Sequence, residues 1–502
     1  MDLIILSLGG LPLIYFAIST LVAARIQPVV SNGAAPKYRA SHLPIVGSAF
    51  PFFRSRASML ASKDCFSFFV GRKHIVNLGG VEGRRTFFES KSLSLPHGAI
   101  EFLIGSVTPI DDDPDDHGAQ EFIRSLAALT RPSNLARQLP VLMADIRAFQ
   151  GHLAQAAPSK ECPSWRVLDP FESIYSFIFR LILRVVGIAE WLDDEAVLGR
   201  MLSAFCGFEK NFSSVHLVFP WLPTPTYVKK LFHAAVLYTS INKIVKRRKE
   251  TGKKRDDALQ FLIDHDKDII RSLLSVLSSG ITTEGCTAAW LLVFLAHSPE
   301  WQARCRAEVD EVISQKRRED QGSQSKYDIL ESLTLPEWET GFPVMLAAFR
   351  ETVRLAMPGA MFRKNISGGV VPIGETGEVI PDGAYASFLM DNVHMDPDLY
   401  PEPLQFNPGR HLSPDGGSGE KQEELEPHTY IGWGTGRHPC AGMRLAKLEI
   451  TMLMASLVAH FEFQPSDAQG SKTTGEFPLV HRNGHRMEKP KTPVYLRYKE
   501  RK

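Results

Sequence analysis

The hydrophobic positions of the chain mark one long apolar segment near its start. Residues 3–24 carry no charged side chain, and a helix of that length covers roughly the 30 Å hydrocarbon core of a bilayer. Asp2 precedes the segment, whereas Arg25 and Arg39 follow it. Under the positive-inside rule this pattern predicts a transmembrane anchor at 1–25, with the bulk of the chain in the cytosol. A cleaved signal peptide is the alternative, which the missing basic residues before the apolar stretch disfavour.

The rest of the chain alternates between short strand patterns and long helical ones. Residues 66–90 alternate apolar and polar side chains, which predicts short strands. Residues 256–297 predict one long helix, and its stretch 273–295 is apolar on almost every face, so this helix is expected to be buried. Helical patterns also fill 119–138, 141–250 and 443–462. Prolines between 26 and 50 predict a stiff hinge, after which 51–502 form one domain.

The charge and the cysteines of the chain exclude two broad classes of protein. Lys and Arg number 57 and Asp and Glu 56, a balance that argues against a broad nucleic-acid footprint. The six cysteines are Cys65, Cys162, Cys206, Cys286, Cys305 and Cys440. Because no two of them are closely spaced, they do not form a disulfide framework, and their scatter fits a reducing compartment.

One cysteine, Cys440, stands in a glycine-rich loop, W-G-T-G-R-H-P-C-A-G at 433–442. A cysteine thiolate is a strong axial ligand for haem iron, and its negative charge favours backbone N–H donors and the start of a helix. Glycines let the backbone approach a flat macrocycle and turn tightly beneath it. These glycines are Gly434, Gly436 and Gly442. Arg437 and His438 are placed to meet anionic propionates, and a buried structural cysteine is the alternative interpretation.

This loop resembles the haem-binding signature of the cytochrome P450 family, the haem-thiolate monooxygenases. Its aromatic, glycine, basic, cysteine and glycine places are filled by Trp433, Gly436, His438, Cys440 and Gly442. Tryptophan stands where phenylalanine is usual and keeps an aromatic ring beside the sulfur. The resemblance implies haem b with Cys440 as the axial metal ligand. It also implies a cytochrome P450 fold, mainly α with a small β-rich portion, following the N-terminal transmembrane helix.

Two further motifs, both with charged residues, also resemble those of the family. Glu351 and Arg354 are three apart, on one face of a predicted helix, and with Arg363 further on they resemble the structural pair and a propionate-binding arginine of the family. The segment F-N-P-G-R, which ends at Arg410, resembles the one whose arginine joins this pair. The resemblance implies a buried triad of Glu351, Arg354 and Arg410 that braces the cysteine loop. Arg124 occupies roughly the place of another propionate ligand, although an ordinary surface arginine fits equally well.

The long apolar helix contains S-G-I-T-T at 279–283, which resembles the oxygen-binding kink of the family. The resemblance implies that Gly280 leaves room for a ligand and that Thr283 hydrogen-bonds oxygen and guides protons. Hydroxyl side chains can also bond their own helix and bend it. The family's acid before this threonine is replaced by Thr282, and Glu284 comes one position later. The relay therefore uses Thr282, a water or Glu284, and a helix with no catalytic duty is the alternative.

Small and apolar residues near these motifs are candidates for a substrate pocket. They are Val276, Leu277, Ala356, Met357, Gly359 and Ala360, with Ser278 and Met361 beside them. Their character favours a hydrophobic, non-ionic molecule. The motifs are similar to those of fungal members that serve secondary metabolism, which suggests a terpenoid, a steroid-like molecule or a polyketide-derived intermediate.

The resemblance as a whole implies a monooxygenase in the endoplasmic reticulum membrane, with its catalytic domain in the cytosol. Electrons would come from an NADPH-cytochrome P450 reductase, with cytochrome b5 as a further candidate donor. The basic residues Arg437, Arg444 and Lys447 are candidates for the docking face. Two alternatives stay open: a haem-thiolate isomerase or dehydratase that rearranges a peroxide without a reductase, and a haem-binding protein that is not an enzyme.

Overall fold

The computed structural model describes residues 34–39, 46–99, 102, 124, 126–211, 214–219, 222–255, 257–265, 269–320, 324–413, 426–473, 477–484 and 487–501. The predicted anchor at 1–25 and most of the predicted hinge lie outside these ranges, and both remain predictions. Within the hinge, residues 34–39 and 46–50 are described, and Gly47 forms a bridge with Val70. Its φ is +59°, and a Cβ there would lie 2.5 Å from the Phe69 carbonyl oxygen, so only glycine fits this approach.

Helices make up most of the described chain. They are α1 (Ala49–Arg54), α2 (Arg56–Leu60), α3 (Gly80–Glu89), α4 (Leu95–Ala99), α5 (Pro132–Gln155), α6 (Pro170–Val186), α7 (Ala189–Leu192), α8 (Glu195–Lys210), α9 (Ser214–Val218), α10 (Pro225–Thr251), α11 (Ala258–His265), α12 (Ile269–His297), α13 (Pro299–Asp320), α14 (Lys326–Ser332), α15 (Leu335–Thr340), α16 (Pro343–Ala356), α17 (Asp391–His394) and α18 (Met443–His460). A short 3₁₀ helix spans Pro408–His411.

The strands form three small sheets. They are β1 (Phe66–Val70), β2 (Lys73–Asn77), β3 (Leu93–Ser94), β4 (Arg166–Leu168), β5 (Ala360–Asn365), β6 (Val371–Pro372), β7 (Val379–Ile380), β8 (Tyr385–Leu389), β9 (Phe461–Ser466) and β10 (Tyr495–Glu500). The largest sheet has the order β1-β2-β8-β5-β3, in which β2 and β8 run parallel and the other neighbours antiparallel. The other sheets have the orders β4-β10-β9 and β6-β7. This architecture confirms the prediction of a mainly α fold with a small β-rich portion.

One element prediction needs correction. The strand prediction for 66–90 holds only to Asn77, because Gly80 takes a φ of +64° and turns the chain into α3. In the segment 256–297, which was predicted as one helix, α11 and α12 are helical, and residues 266–268 between them lie outside the described part.

The central helix α12 is the axis of the main hydrophobic core. Its segment Leu277–His297 is long and apolar enough to cross a membrane, but 78% of that window is buried inside the protein. It packs against α6, α16 and α18, which carry most of the apolar side chains around it. This confirms that the all-apolar pattern marks a buried helix, and it places the hydroxyl side chains of α12 inside the domain.

Helix α16, which carries the Glu351 motif, is fixed at its start by a buried carboxylate. Glu308 of α13 accepts hydrogen bonds from the backbone N–H groups of Val344 and Met345, at 2.6 and 3.0 Å. These N–H groups have no partner within their own helix. Burial raises the pKa of Glu308, the two backbone hydrogen bonds partly offset this, and the resulting pKa is about 7.

The raised pKa of Glu308 gives a prediction for stability against pH. In the unfolded chain the carboxyl has its ordinary pKa, near 4.5. Stability from this group is therefore fully present below that value and is lost as the pH rises through about 7. Thermal unfolding of the wild type and of Glu308→Gln is measured at pH 5 and at pH 8. From pH 5 to pH 8 the free energy of unfolding of the wild type should fall by on the order of 3 kcal/mol relative to that of the variant. An unchanged difference would contradict the assignment.

Candidate active site

The loop at 433–442 holds Cys440 in a hydrogen-bonded turn just before α18. The N–H of Cys440 donates to the Trp433 carbonyl at 2.7 Å. Gly434 and Gly436 have φ values of +65° and +64°. A Cβ on Gly436 would lie 2.5 Å from the Phe88 carbonyl oxygen, so the loop can lie against α3 only with glycine at this position. The turn fixes the direction of the cysteine side chain at the start of a helix.

The surroundings of Cys440 determine the charge of its sulfur. The residue is exposed to solvent, yet burial among protein atoms raises the pKa of its thiol. Backbone N–H groups of Gly442 and Met443 lower that pKa, and the charge of Glu284 raises it. Since the net shift disfavours the thiolate, a stable thiolate here needs a positive partner such as a metal ion.

Next to the cysteine loop, three basic groups meet without an acid. Arg363 of β5 is buried, donates from Nη1 to the Phe87 carbonyl and has no partner for Nε. Burial, and then the charge of Arg437, lower the pKa of Arg363 to about 10. Burial and the same two arginines lower the pKa of His438 to about 4. Among the described residues no carboxylate pairs with Arg363, so this cluster lacks the anion that its charges require.

The charged cluster around Glu351 is complete. Arg354 donates from Nε and Nη2 to the two carboxylate oxygens of Glu351, both at 2.8 Å, and neither side chain is exposed. The backbone N–H of Asn407 donates to the same carboxylate at 3.1 Å, and the Arg410 Nε lies 3.4 Å from it. His411 adds a fourth side-chain contact at 2.9 Å. The structure therefore brings the three predicted triad residues together.

Hydrogen bonds keep Glu351 ionised. Burial alone would raise the pKa of this carboxyl, but the hydrogen bonds from Arg354 and His411 outweigh it and lower the pKa to about 2. For His411, burial lowers the pKa, which leaves a neutral ring whose N–H can donate to the carboxylate.

A short path of hydrogen bonds connects this cluster to the cysteine loop. Arg354 Nη1 donates to the His394 carbonyl at 2.6 Å, and the ring Nε2 of His394 accepts the N–H of Ile431 at 3.1 Å. The Ile431 carbonyl accepts the N–H of Gly434 at 3.0 Å. Burial and the nearby positive charges lower the pKa of His394, so its ring stays neutral and can accept. The predicted bracing of the loop thus has a physical path.

Sequence reasoning missed His394 and His411. Both are buried, and both lie in segments that the sequence marked as loops. His411 directly follows the F-N-P-G-R segment, and this adjacency was the available signal. His394 supports the loop through its backbone carbonyl and its neutral ring, and neither contact could be predicted from the pattern of residues along the chain.

On α12 the hydroxyl residues divide between two sides of the helix. Thr283 is partly exposed, and Ser279, one helical turn before it on the same face, is exposed within an otherwise buried helix. Thr287 donates from Oγ1 to the Thr283 carbonyl at 2.6 Å, a bond of the kind that bends helices. The open face of α12 therefore carries Ser279 and Thr283, and Ser279 is a candidate that the sequence reasoning missed.

Gly280 lies beside helix α6. A Cβ on Gly280 would meet the Cδ1 of Ile182 at an ordinary contact distance of 3.7 Å. Its role in leaving room for a ligand stays a prediction.

The two other relay candidates of the sequence lie in different surroundings. Thr282 Oγ1 donates to Glu209 Oε2 of α8 at 3.0 Å and lies 3.2 Å from the Tyr175 hydroxyl of α6. Glu284 is buried and interacts with the buried Glu449 of α18. Burial raises the pKa of Glu284 to about 7 and that of Glu449 well above its ordinary value.

The candidate pocket residues are only partly available to a ligand. Leu277 and Ala356 are fully buried in the main core and offer no surface, which corrects their assignment. Gly359 and Ala360 are buried as well, whereas Met357 and Met361 are partly exposed. The side chain of Val276 lies outside the described part. The two methionines are thus the members that can meet a ligand.

The structure fits haem at this site on its own evidence. Cys440 is exposed to solvent just before a helix, and the Arg363 cluster lacks an anion that two propionates would supply. Trp433 keeps an aromatic ring beside the loop, packed edge-on to Phe349 with centroids 5.4 Å apart. Arg124 is exposed, and its neighbours at 103–123 and 125 lie outside the described part, so its propionate contact stays a prediction.

Removal of the charge at Glu351 is expected to destabilise the protein strongly. Glu351→Gln leaves Arg354 buried without a counterion, which costs about 3–5 kcal/mol. Glu339→Gln is the matched control, because it breaks a partly exposed pair with Arg444, at 2.6 Å, worth about 1 kcal/mol or less. Thermal unfolding and haem content measure both. A Glu351 variant as stable and as haem-loaded as the control would contradict the account.

Replacement of Arg363 by methionine should separate haem binding from stability. Arg363→Met removes a buried charge that has no counterion, so the haem-free protein should melt at the wild-type temperature or higher. Haem affinity should fall, since a propionate partner is lost. Thermal unfolding of the apoprotein and haem titration test this. A less stable apoprotein with unchanged haem affinity would show that Arg363 serves the fold alone.

Comparison with known proteins agrees with the site. The family model "Cytochrome P450" matches residues 124–487. The cytochrome P450 monooxygenase AacuE of Aspergillus aculeatus is 29% identical over 88% of this chain and 88% of its own length. Bovine (Bos taurus) lanosterol 14-alpha demethylase is 24% identical over 96% of this chain and 91% of its own.

Among solved structures, the fold is similar to that of a retinoic acid-bound cyanobacterial CYP120A1. The TM-score is 0.69 with 18% sequence identity, and the match covers 93% of this chain and 100% of the other. The predicted fold, family and enzyme class are thereby confirmed. The chain belongs to the cytochrome P450 family.

Proposed function

We propose that this protein is a membrane-anchored monooxygenase that inserts one oxygen atom of O₂ into a hydrophobic small molecule. The observation that carries the proposal is Cys440, which is exposed in its loop beside basic groups that lack an anion. The reaction is RH + O₂ + 2e⁻ + 2H⁺ → ROH + H₂O. Bound haem b would supply the oxygen activation. Cys440 would hold its iron, and Arg363, Arg437 and His438 would hold its propionates.

The other residues of the site position the substrate and the protons. Ser279 is exposed and Thr283 is partly exposed on α12, where a hydroxyl can hydrogen-bond oxygen. Met357 and Met361 are partly exposed at the edge of the core, and flexible thioether side chains adapt to irregular apolar ligands. Haem, the Glu351 cluster and the buried α12 together would keep bulk water from the reacting carbon.

A terpenoid, a steroid-like molecule or a polyketide-derived intermediate is the proposed substrate class. Apolar residues around the site support a non-ionic ligand. The similarity to AacuE, a fungal monooxygenase, supports a place in secondary metabolism, and the similarity to a lanosterol demethylase supports a fused-ring substrate.

Electrons would come from NADPH through a cytochrome P450 reductase, with cytochrome b5 as a second donor. The basic face near the cysteine loop supports docking of an acidic partner. Arg437 on this face is exposed. Arg444 is paired with Glu339, and it contributes less net charge than the sequence suggested.

Anchoring in the endoplasmic reticulum membrane rests on the apolar segment 3–24, with the catalytic domain in the cytosol. Exposed apolar side chains around α9 and the start of α10 support contact of this face with a lipid surface. They are Val215, Leu222, Val228 and Phe232. Secondary metabolites and sterols partition into the bilayer, from which such a face could receive them.

A reconstitution experiment tests the function. The purified protein, NADPH and a cytochrome P450 reductase are incubated under ¹⁸O₂ with lanosterol, a diterpene and an anthraquinone. We expect a binding spectrum with at least one class and a product that carries one ¹⁸O and requires NADPH, reductase and O₂. Turnover of a hydroperoxide without reductase, and none with it, would favour the isomerase or dehydratase. Bound haem without any turnover would favour the non-enzymatic alternative.

A further inference from the structure

We infer that Glu209 of α8 supplies, from a neighbouring helix, the carboxylate that position 282 of α12 lacks, and that it passes protons through Thr282 toward the oxygen-binding face. This inference rests on the proposed monooxygenase function and names a positioning residue for its proton supply. Its geometric basis is the hydrogen bond from Thr282 Oγ1 to Glu209 Oε2 at 3.0 Å.

The position of Glu209 suits the entry of protons. The residue is partly exposed near the end of α8, so solvent can reach it, and its partner Thr282 lies directly beside Thr283 in the chain. Glu284, by contrast, is buried and faces Glu449 on the side toward Cys440. A carboxyl without contact to solvent cannot be reprotonated quickly between turnovers. Of these two carboxylates, Glu209 therefore combines contact with solvent and a hydrogen bond to Thr282.

The local hydrogen bonds define how the proton moves. In the resting arrangement the Thr282 hydroxyl donates to ionised Glu209, and its oxygen lies 3.2 Å from the Tyr175 hydroxyl. When Glu209 takes a proton from solvent, it becomes the donor to Thr282 Oγ1. Its proton then passes to that oxygen, while the O–H bond of Thr282 breaks and that hydrogen moves inward to a water or to Thr283. Glu209 returns to its ionised form, so one proton has crossed and no other bond has changed. Each turnover uses two such transfers.

Tyr175 holds this arrangement but is not the acid. Burial raises the pKa of its phenol, so it stays neutral and acts as a hydrogen-bond partner. Its ring packs on Gly285, where a Cβ would lie 2.8 Å from the Tyr175 Cδ2. This contact keeps the hydroxyl against Thr282 and explains why a glycine follows Glu284.

The test compares Glu209→Gln with Glu195→Gln, a matched substitution at an exposed position of the same helix. The substrate is whichever of the three probes the wild type oxidises. With NADPH, reductase and O₂, the Glu209 variant should form product about 10²-fold more slowly and release hydrogen peroxide instead. With added hydrogen peroxide as oxidant, which brings its own protons, it should match the wild type. Thr282→Asp in the Glu209→Gln background should restore coupling.

A second readout needs no haem and no turnover. In the apoprotein, Thr282→Val should shift the infrared carboxylate band that Glu209→Gln removes, because the carboxylate loses its hydroxyl donor. Tyr175→Phe should uncouple much less than Glu209→Gln, because the phenol only positions Thr282.

Three results would overturn the inference while the wild type remains an active monooxygenase. The first is normal coupling in Glu209→Gln, and the second is an equal loss of product formation by this variant with O₂ and with peroxide. The third is uncoupling in Tyr175→Phe as large as in Glu209→Gln, which would mean that Glu209 only holds Thr282 in place. Uncoupling confined to Glu284→Gln would likewise assign the relay to Glu284. A wild type that oxidises no probe contradicts the proposed function instead.

Discussion

A single buried carboxylate, Glu351, fixes the geometry of the candidate site. It lies without exposure among Arg354, Arg410, His411 and the Asn407 N–H, and an ion in such a place is tolerated only when its hydrogen bonds are satisfied. Because these partners come from α16 and from a segment about fifty residues later, the charge ties together parts of the chain that no strand or helix connects. The turn that carries Cys440 is held by the same network through His394.

At Arg363, by contrast, a buried charge has no counterion among the described residues. There the fold buries a cation and adds Arg437 and His438, without any acid among the described residues to balance them. One buried cluster is therefore complete in the protein alone, and the other is complete only with an anionic ligand. This contrast distinguishes the Glu351 cluster, which stabilises the fold, from the Arg363 cluster, which is available to bind a cofactor.

The sequence predicted most of the framework, because its signals were strong and local. An all-apolar stretch predicted the buried α12, and the spacing of Glu351 and Arg354 predicted their shared face. What it could not predict depended on rotation about a helix axis and on distant contacts. Gly280 and Ser279 are neighbours in the chain, yet a Cβ on Gly280 would meet Ile182, whereas Ser279 is exposed. Glu209 and Thr282 are 73 positions apart, and no local pattern connects them.

The central claim is that the thiolate of Cys440 is the axial ligand of a haem held by this network. The carbon-monoxide difference spectrum of the reduced protein tests it most directly, with Cys440→Ser compared with Cys206→Ser, an exposed cysteine on α8. We expect the red-shifted band of thiolate-ligated haem in the wild type and in the Cys206 variant, and its loss in the Cys440 variant. The same band in all three proteins would contradict the account.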